Sequence, residues 1–203
     1  MTKGIAKTYT VSMVYLQKIN QETLVDNAYE LLEREGIEAI SMRRLAQMLD
    51  VRASSLYHHF PDKSTLLKEV AEKGRMRLAE KLKQAYNLAK PDLIRQITTM
   101  GMIYREWGLQ HPQLYRLLFA NAPLDENGPS AASTAAFAPI LAATEELLGE
   151  SQAAMATQAL WAFVHGYVML ELTGHTQQCI PVEGFQFGLT CFVEGLGNRA
   201  VHS

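Results

Sequence analysis

The chain has 203 residues, 48% of them apolar and 20% charged, enough to bury a core in one large or two modest domains. Cys179 and Cys191 lie in apolar, helix-like surroundings, so a disulfide scaffold is not expected and a reducing cytoplasm is the expected home. The net charge of −2 is unevenly spread: residues 1–90 carry net +4, residues 91–203 carry net −6, and no lysine or arginine occurs from Leu117 to Asn198, so an anionic partner is expected for the first part only.

No apolar run is expected to reach the ~20 residues of a membrane span. The first twenty residues lack an apolar stretch and a small-residue cleavage site, so no signal peptide is expected. Alternating apolar runs are absent while helical spacing recurs, which predicts an all-α chain of about nine helices. Residues 1–19 read as an arm, disordered or reaching DNA through Lys3, Lys7 or Lys18.

The first helix follows Asn20, an N-cap residue, with Glu22 in its first turn. Its inner face is Leu24, Ala28, Leu31 and Leu32, and Gly36 suits the position that ends it. The second helix starts at Ser41 and turns Leu45, Ala46 and Leu49 inward. Arg43 and Arg44 sit in its first turn, where they oppose the helix dipole and are better explained by an outside partner. After a tight turn at Asp50-Val51, a short third helix is predicted from about Ala53 to His59. Phe60 precedes Pro61, which biases it away from helical geometry. Asp62 caps a long fourth helix reaching about Asn87, with Leu66, Leu67, Val70, Leu78, Leu82 and Ala85 inward. Lys68, Lys73, Arg75, Lys81 and Lys83 are expected on its outer face.

Pro91 marks a boundary. The next helix carries Ile94, Ile97, Gly101, Tyr104 and Trp107 on one face, and His111-Pro112 restarts the chain. APLDENGP and GHTQQCIP read as loops. Helices are predicted at about 130–148, at 152–173 and at about 183–197.

The paired histidines in SSLYHHF raise the question of a metal or catalytic site. With Leu56 taken as inward and 100° per residue, Ser54 and His58 lie about 160° and 200° away, so both face out. His59 falls about 60° from inward, at the rim. Adjacent histidines therefore diverge, whereas a helical metal pair needs i,i+3 or i,i+4 spacing. Neither metal, cofactor nor nucleophilic catalysis is expected. The remaining reading is a helix-turn-helix whose second helix enters the major groove.

The stretch TLVDNAYELLEREGIEAISMRRLAQMLDVRASSLYHHFPDKSTLL closely resembles the TetR family of bacterial transcriptional regulators, most specifically in its LYHHF core followed by a lysine and a leucine pair. The resemblance implies a DNA-facing set of Met42 and Arg43, then Ala53, Ser54, Ser55, Tyr57, His58 and His59, with Lys63 beyond. Asp50 stands where the family often has glycine, and Asp tolerates the left-handed conformation. Residues 20–66 would be the DNA-binding domain and 67–203 a helical body for ligand binding and dimerisation. Trp161, His165 and Gly166 resemble the Trp-His-Gly variant of the family's ligand domains.

The resemblance also implies a homodimer on a nearly palindromic double-stranded operator, acting most simply as a repressor released by a small molecule. Tyr104, Trp107, Tyr115, Phe119, Trp161, His165 and Met169 are the candidate pocket. Gly166, Phe185, Leu189, Phe192 and Leu196 are the candidate dimer seam. A strongly anionic effector would have to rely on Arg95, Arg105 or Arg116, so a largely apolar, neutral or cationic effector is expected, with His165 or Glu171 as polar contacts. Two rivals stand beside this: a DNA binder regulated by a protein partner, and a helical enzyme using His165 with Glu171 or Cys179.

Overall fold

The computed structural model describes residues 20–119, 128–174 and 183–202. The arm, Cys179, His175 and most of both expected loops lie outside them. Among the described residues there are nine α-helices and no strand, as the periodicity requires.

Helix α1 (Gln21–Glu35) is capped by Asn20, whose Oδ1 accepts the Thr23 N–H at 2.8 Å, and ends at Gly36 with φ 83°. A 3-10 turn (Ile37–Ala39) leads to α2 (Met42–Met48), capped by Ser41. Asp50 turns the chain with φ 53°, the only non-glycine residue with positive φ among those described. Its short polar side chain is one of the few that tolerates this region. Helix α3 (Ala53–Leu56) is a single turn; the chain leaves helical geometry sooner than the pattern to His59 suggests, and Pro61 stops its continuation.

Asp62 caps the 26-residue helix α4 (Lys63–Leu88) through the Thr65 N–H at 2.7 Å. At 1.5 Å per residue, α4 is about 39 Å long. The expected domain division at residue 66 thus falls inside an unbroken helix. The buried cluster is continuous across it, from Leu24, Leu45 and Leu56 through Val70 and Leu78 to Ile97, Val164 and Leu189.

Helices α5 (Leu93–Gln110), α6 (Pro112–Phe119), α7 (Ala131–Leu148), α8 (Glu150–Leu172) and α9 (Glu183–His202) form the body. Helix α4 packs on α5, α6 and α7, and α8 packs on α5, α7 and α9. Helix α9 runs beyond the expected end near residue 197. Helix α8 corrects another expectation, because by length and composition it is apolar enough to cross a membrane; in this fold it is a packed element of a helical body. Close contacts tie α1 and α4 to α6 of the body. Glu33 of α1 accepts the Leu114 N–H at 3.1 Å and meets His111 Nδ1 at 2.6 Å. Gly74 of α4 lets Leu114 approach so closely that an added Cβ would stand 2.8 Å from its methyls.

Candidate nucleic-acid interface and ligand cleft

Leu56 is fully buried and anchors α3, so the rest of that turn must face outward. Ser54 and His58 are exposed, Tyr57 is 53% exposed, and Ala53, Ser55 and His59 are half-buried. This matches the order the helical wheel assigns to them. Ser55 Oγ donates to the Arg52 carbonyl at 2.6 Å. The His59 carbonyl accepts from Gln21 Nε2 at 3.2 Å, so this rim position is braced against α1.

Arg43 is exposed and makes no ion pair among the described residues, whereas its neighbour Arg44 is paired with Glu35. Met42 is a correction. It is 7% exposed and belongs to the core cluster, because an unbranched apolar side chain at this position gains more from burial than from water. Its side chain is not available to DNA. Lys63 is half-buried, and its Nζ donates to the Ile37 carbonyl at 3.0 Å. The ammonium keeps two further donors, but it is first a strap between α4 and the 3-10 turn. Arg52, exposed in the turn before α3, was missed. Together with Asp50, Val51, Ser54, Ser55 and His58 it lines a shallow surface groove. The signal was present in the sequence, a lone cation between two helices beside a hydroxyl pair.

A second, more enclosed feature lies in the body. A narrow cleft with a volume of about 90 Å³ is walled by Leu78 and Leu82 of α4, Met100 and Tyr104 of α5, Leu118 and Phe119 of α6, Phe137 and Ile140 of α7, and Leu160, Trp161 and Val164 of α8. The lining is almost wholly apolar, as is usual for a small-molecule site. Of the expected pocket residues, Tyr104, Phe119 and Trp161 line it. Tyr115 and Trp107 are buried behind that wall, and Met169 packs against the core.

His165 stands behind it too. Its ring stacks on Trp161 at 5.2 Å between centroids, and its Nδ1 lies 2.7 Å from the Tyr115 hydroxyl. That hydroxyl is 3.1 Å from Tyr104 Oη. A chain of three polar groups, buried at Tyr104 and Tyr115 and half-buried at His165, therefore runs from α5 through α6 to α8. Burial pushes the Tyr104 hydroxyl up to about 12, pushes Tyr115 up as well, and pulls His165 below the usual imidazole value. All three groups are held neutral at pH 7.

Glu171 is not a free polar contact. Arg105 clamps it through two hydrogen bonds of 2.8 and 2.5 Å, and Arg116 donates to the Leu172 carbonyl. Arg75 is the charged residue that sequence reading misplaced. It was expected on the outer face of α4, yet it lines the cleft. The expectation of a neutral or cationic effector counted only Arg95, Arg105 and Arg116 as cations for an anionic one, and Arg75 adds a fourth at the cleft itself.

The dimer-seam expectation also needs correction. Phe185, Leu189 and Leu196 are at most 8% exposed within the single chain. Phe185 stacks on Phe163, and Leu189 fills the space above Gly101. Phe192 is half-buried beside Phe163. Gly166 is the exception, with open space where a Cβ would stand.

A helix-turn-helix with an outward polar turn, rooted in a helical body, defines the class of DNA-binding transcriptional regulators. Comparison with known proteins narrows it. Residues 24–70 match the family described as bacterial regulatory proteins, tetR family, and residues 97–189 match the tetracyclin repressor-like C-terminal domain. An uncharacterized HTH-type transcriptional regulator of Mycobacterium tuberculosis is 30% identical over 162 residues, covering 77% of this chain and 72% of that protein. The chain belongs to the TetR family of transcriptional regulators, a non-enzymatic family. Among solved structures, a Rhodococcus protein of unknown function superposes with TM-score 0.75 at 24% identity, covering 91% of this chain and 99% of that one. A TetR variant from Acinetobacter baumannii in complex with minocycline superposes with TM-score 0.66 at 22% identity, covering 89% and 98%.

Proposed function

We propose that this regulator is a homodimeric, cytoplasmic repressor that binds a near-palindromic operator and is released by a largely apolar small molecule. The observation that carries the reading is α4. One helix starts beside the DNA-facing turn at Lys63 and supplies Arg75, Leu78 and Leu82 to the cleft. An occupant of the cleft that favours one position of α4 shifts the recognition turn with it, by as much free energy as it discriminates between the two positions. A family neighbour crystallised with minocycline supports a small-molecule occupant. Base-edge contacts are assigned to Ser54, Tyr57 and His58, backbone contacts to Arg43, Arg52 and Lys63.

For the dimer, the outer face of α8 is the support. Met155, Ala159, Ala162 and Leu170 are exposed along it with half-buried Gly166 between them, and no charged residue occurs from Ser151 to Leu170. Beside it on α9, Phe187 is 73% exposed. A charge-free stripe of this kind on one chain suits an isologous contact with a second copy. The proposed seam therefore keeps Gly166 of α8 and replaces the inward residues of α9 by the outward faces of α8 and α9.

The test is selection of bound duplexes from random DNA by wild type, by Tyr57→Ala and by Ala162→Arg. The reading requires an inverted repeat for wild type, relaxed preference at one position per half-site for Tyr57→Ala, and a monomer without half-site pairing for Ala162→Arg. A wild-type protein that selects no sequence and shows little salt dependence would end it.

A further inference from the structure

We propose that Arg75 makes the cleft selective for an amphiphile bearing one acidic group, a monocarboxylate on a large apolar body. This rests on the reading of the cleft as the effector site. Among the described residues, Arg75 is the one charged side chain that lines it. Its side chain is only 22% exposed, so the guanidinium is partly desolvated where it meets the cleft. Among the described residues its partner is Glu72, through a single Nη1 contact of 3.4 Å at the long end of hydrogen-bond range. That contact is not the paired fork a guanidinium makes with a well-placed carboxylate. Glu72 is held elsewhere, because its Oε1 accepts the Ala132 N–H at the start of α7 at 3.1 Å. Most of the five guanidinium donors therefore remain for an occupant.

The same end of the cleft offers a hydroxyl. Ser133, next to Ala132, lines the cleft, and its Oγ accepts from Ser130 Oγ at 3.1 Å, leaving its own proton to donate. Arg75 and Ser133 thus add a charge and a hydroxyl to a lining that also presents Phe137, Trp161 and Val164. Glu72 sets the limit on charge. Its carboxylate beside Arg75 repels a second negative group, so one anionic charge is accommodated and a polyphosphate or dicarboxylate is rejected.

The experiment compares three probes of equal chain length, sodium decanoate, decan-1-ol and decyltrimethylammonium, below their aggregation thresholds at pH 8. Binding to the full chain is followed by tryptophan fluorescence, since Trp161 lines the cleft, and release of the selected operator is read alongside. Charge-assisted hydrogen bonding in a part-buried site predicts decanoate binding at least about tenfold tighter than the alcohol, with the ammonium weakest. Arg75→Met keeps the apolar stem and should abolish that preference while leaving alcohol affinity unchanged; Arg75→Lys should keep part of it. Helical content measured by circular dichroism shows that each variant is folded. Equal affinities of wild type for acid and alcohol, with no change in Arg75→Met, overturn the acid selectivity and leave the apolar effector site standing. If none of the three probes binds, both fall together.

Discussion

Replacing Tyr115 by Phe removes one oxygen and keeps the ring. Tyr115 is fully buried, and its ring packs against Tyr104, Trp107, Phe119 and His165, so packing is unchanged and the effect isolates the hydroxyl. That hydroxyl sits 3.1 Å from Tyr104 Oη and 2.7 Å from His165 Nδ1. Tyr104 is 6% exposed, and an unsatisfied buried hydroxyl costs about 1–3 kcal/mol. His165 is only half-buried and recovers part of its loss from water. A net destabilisation of about 2 kcal/mol follows, which for a chain of this size lowers Tm by about 4–8 °C. Thermal unfolding of Tyr115→Phe, Tyr104→Phe and the double variant supplies the check. Removing both hydroxyls leaves fewer orphaned groups than the single changes imply, so the double variant should be less destabilised than the sum of the singles. A Tyr115→Phe protein with wild-type Tm, or strictly additive losses, would refute the chain of polar groups as a structural unit.

Burial holds the folded-state value of His165 below its unfolded one, so the unfolded chain binds the extra proton first. Stability is then full above about pH 6.5 and falls as pH drops below that value; His165→Gln, compared by urea unfolding between pH 7 and 5, should flatten the slope. Asp50 occupies φ 53°, so Asp50→Gly should be neutral or stabilising by up to about 0.5 kcal/mol and Asp50→Val destabilising by more than about 1 kcal/mol, measured by denaturant midpoint. Arg43→Ala should reduce the salt slope of operator binding by about 1 without moving Tm. Lys63→Met should lower both affinity and Tm, because the Lys63 ammonium also holds the Ile37 carbonyl; an unchanged Tm would make that strap energetically silent.

The local features were legible because their causes are local. Asn20, Ser41 and Asp62 each cap the helix that follows them, since a short side-chain oxygen reaches the N–H three residues on. The placement of His58 outward and His59 at the rim follows from the burial of Leu56 and 100° per residue. The tolerance of Asp50 for a left-handed turn follows from its side chain. Errors arose where a helix has two packed sides. Arg75 looked solvated on α4, and Phe185, Leu189 and Leu196 looked like a seam on α9. A 3.6-residue pattern says that one stripe is buried, not which neighbour buries it.

The amino-acid sequence by itself therefore determined an all-α chain, its capped helices and a polar turn that faces outward, because caps, turns and periodicity act within a few residues along the chain. Only the tertiary structure decided that α7 and α8 close a cleft against α4, that Arg75 lines this cleft, and that Met155, Ala159, Ala162 and Leu170 of α8 are exposed among the described residues. Those outcomes depend on helices far apart in sequence competing for the same apolar surface.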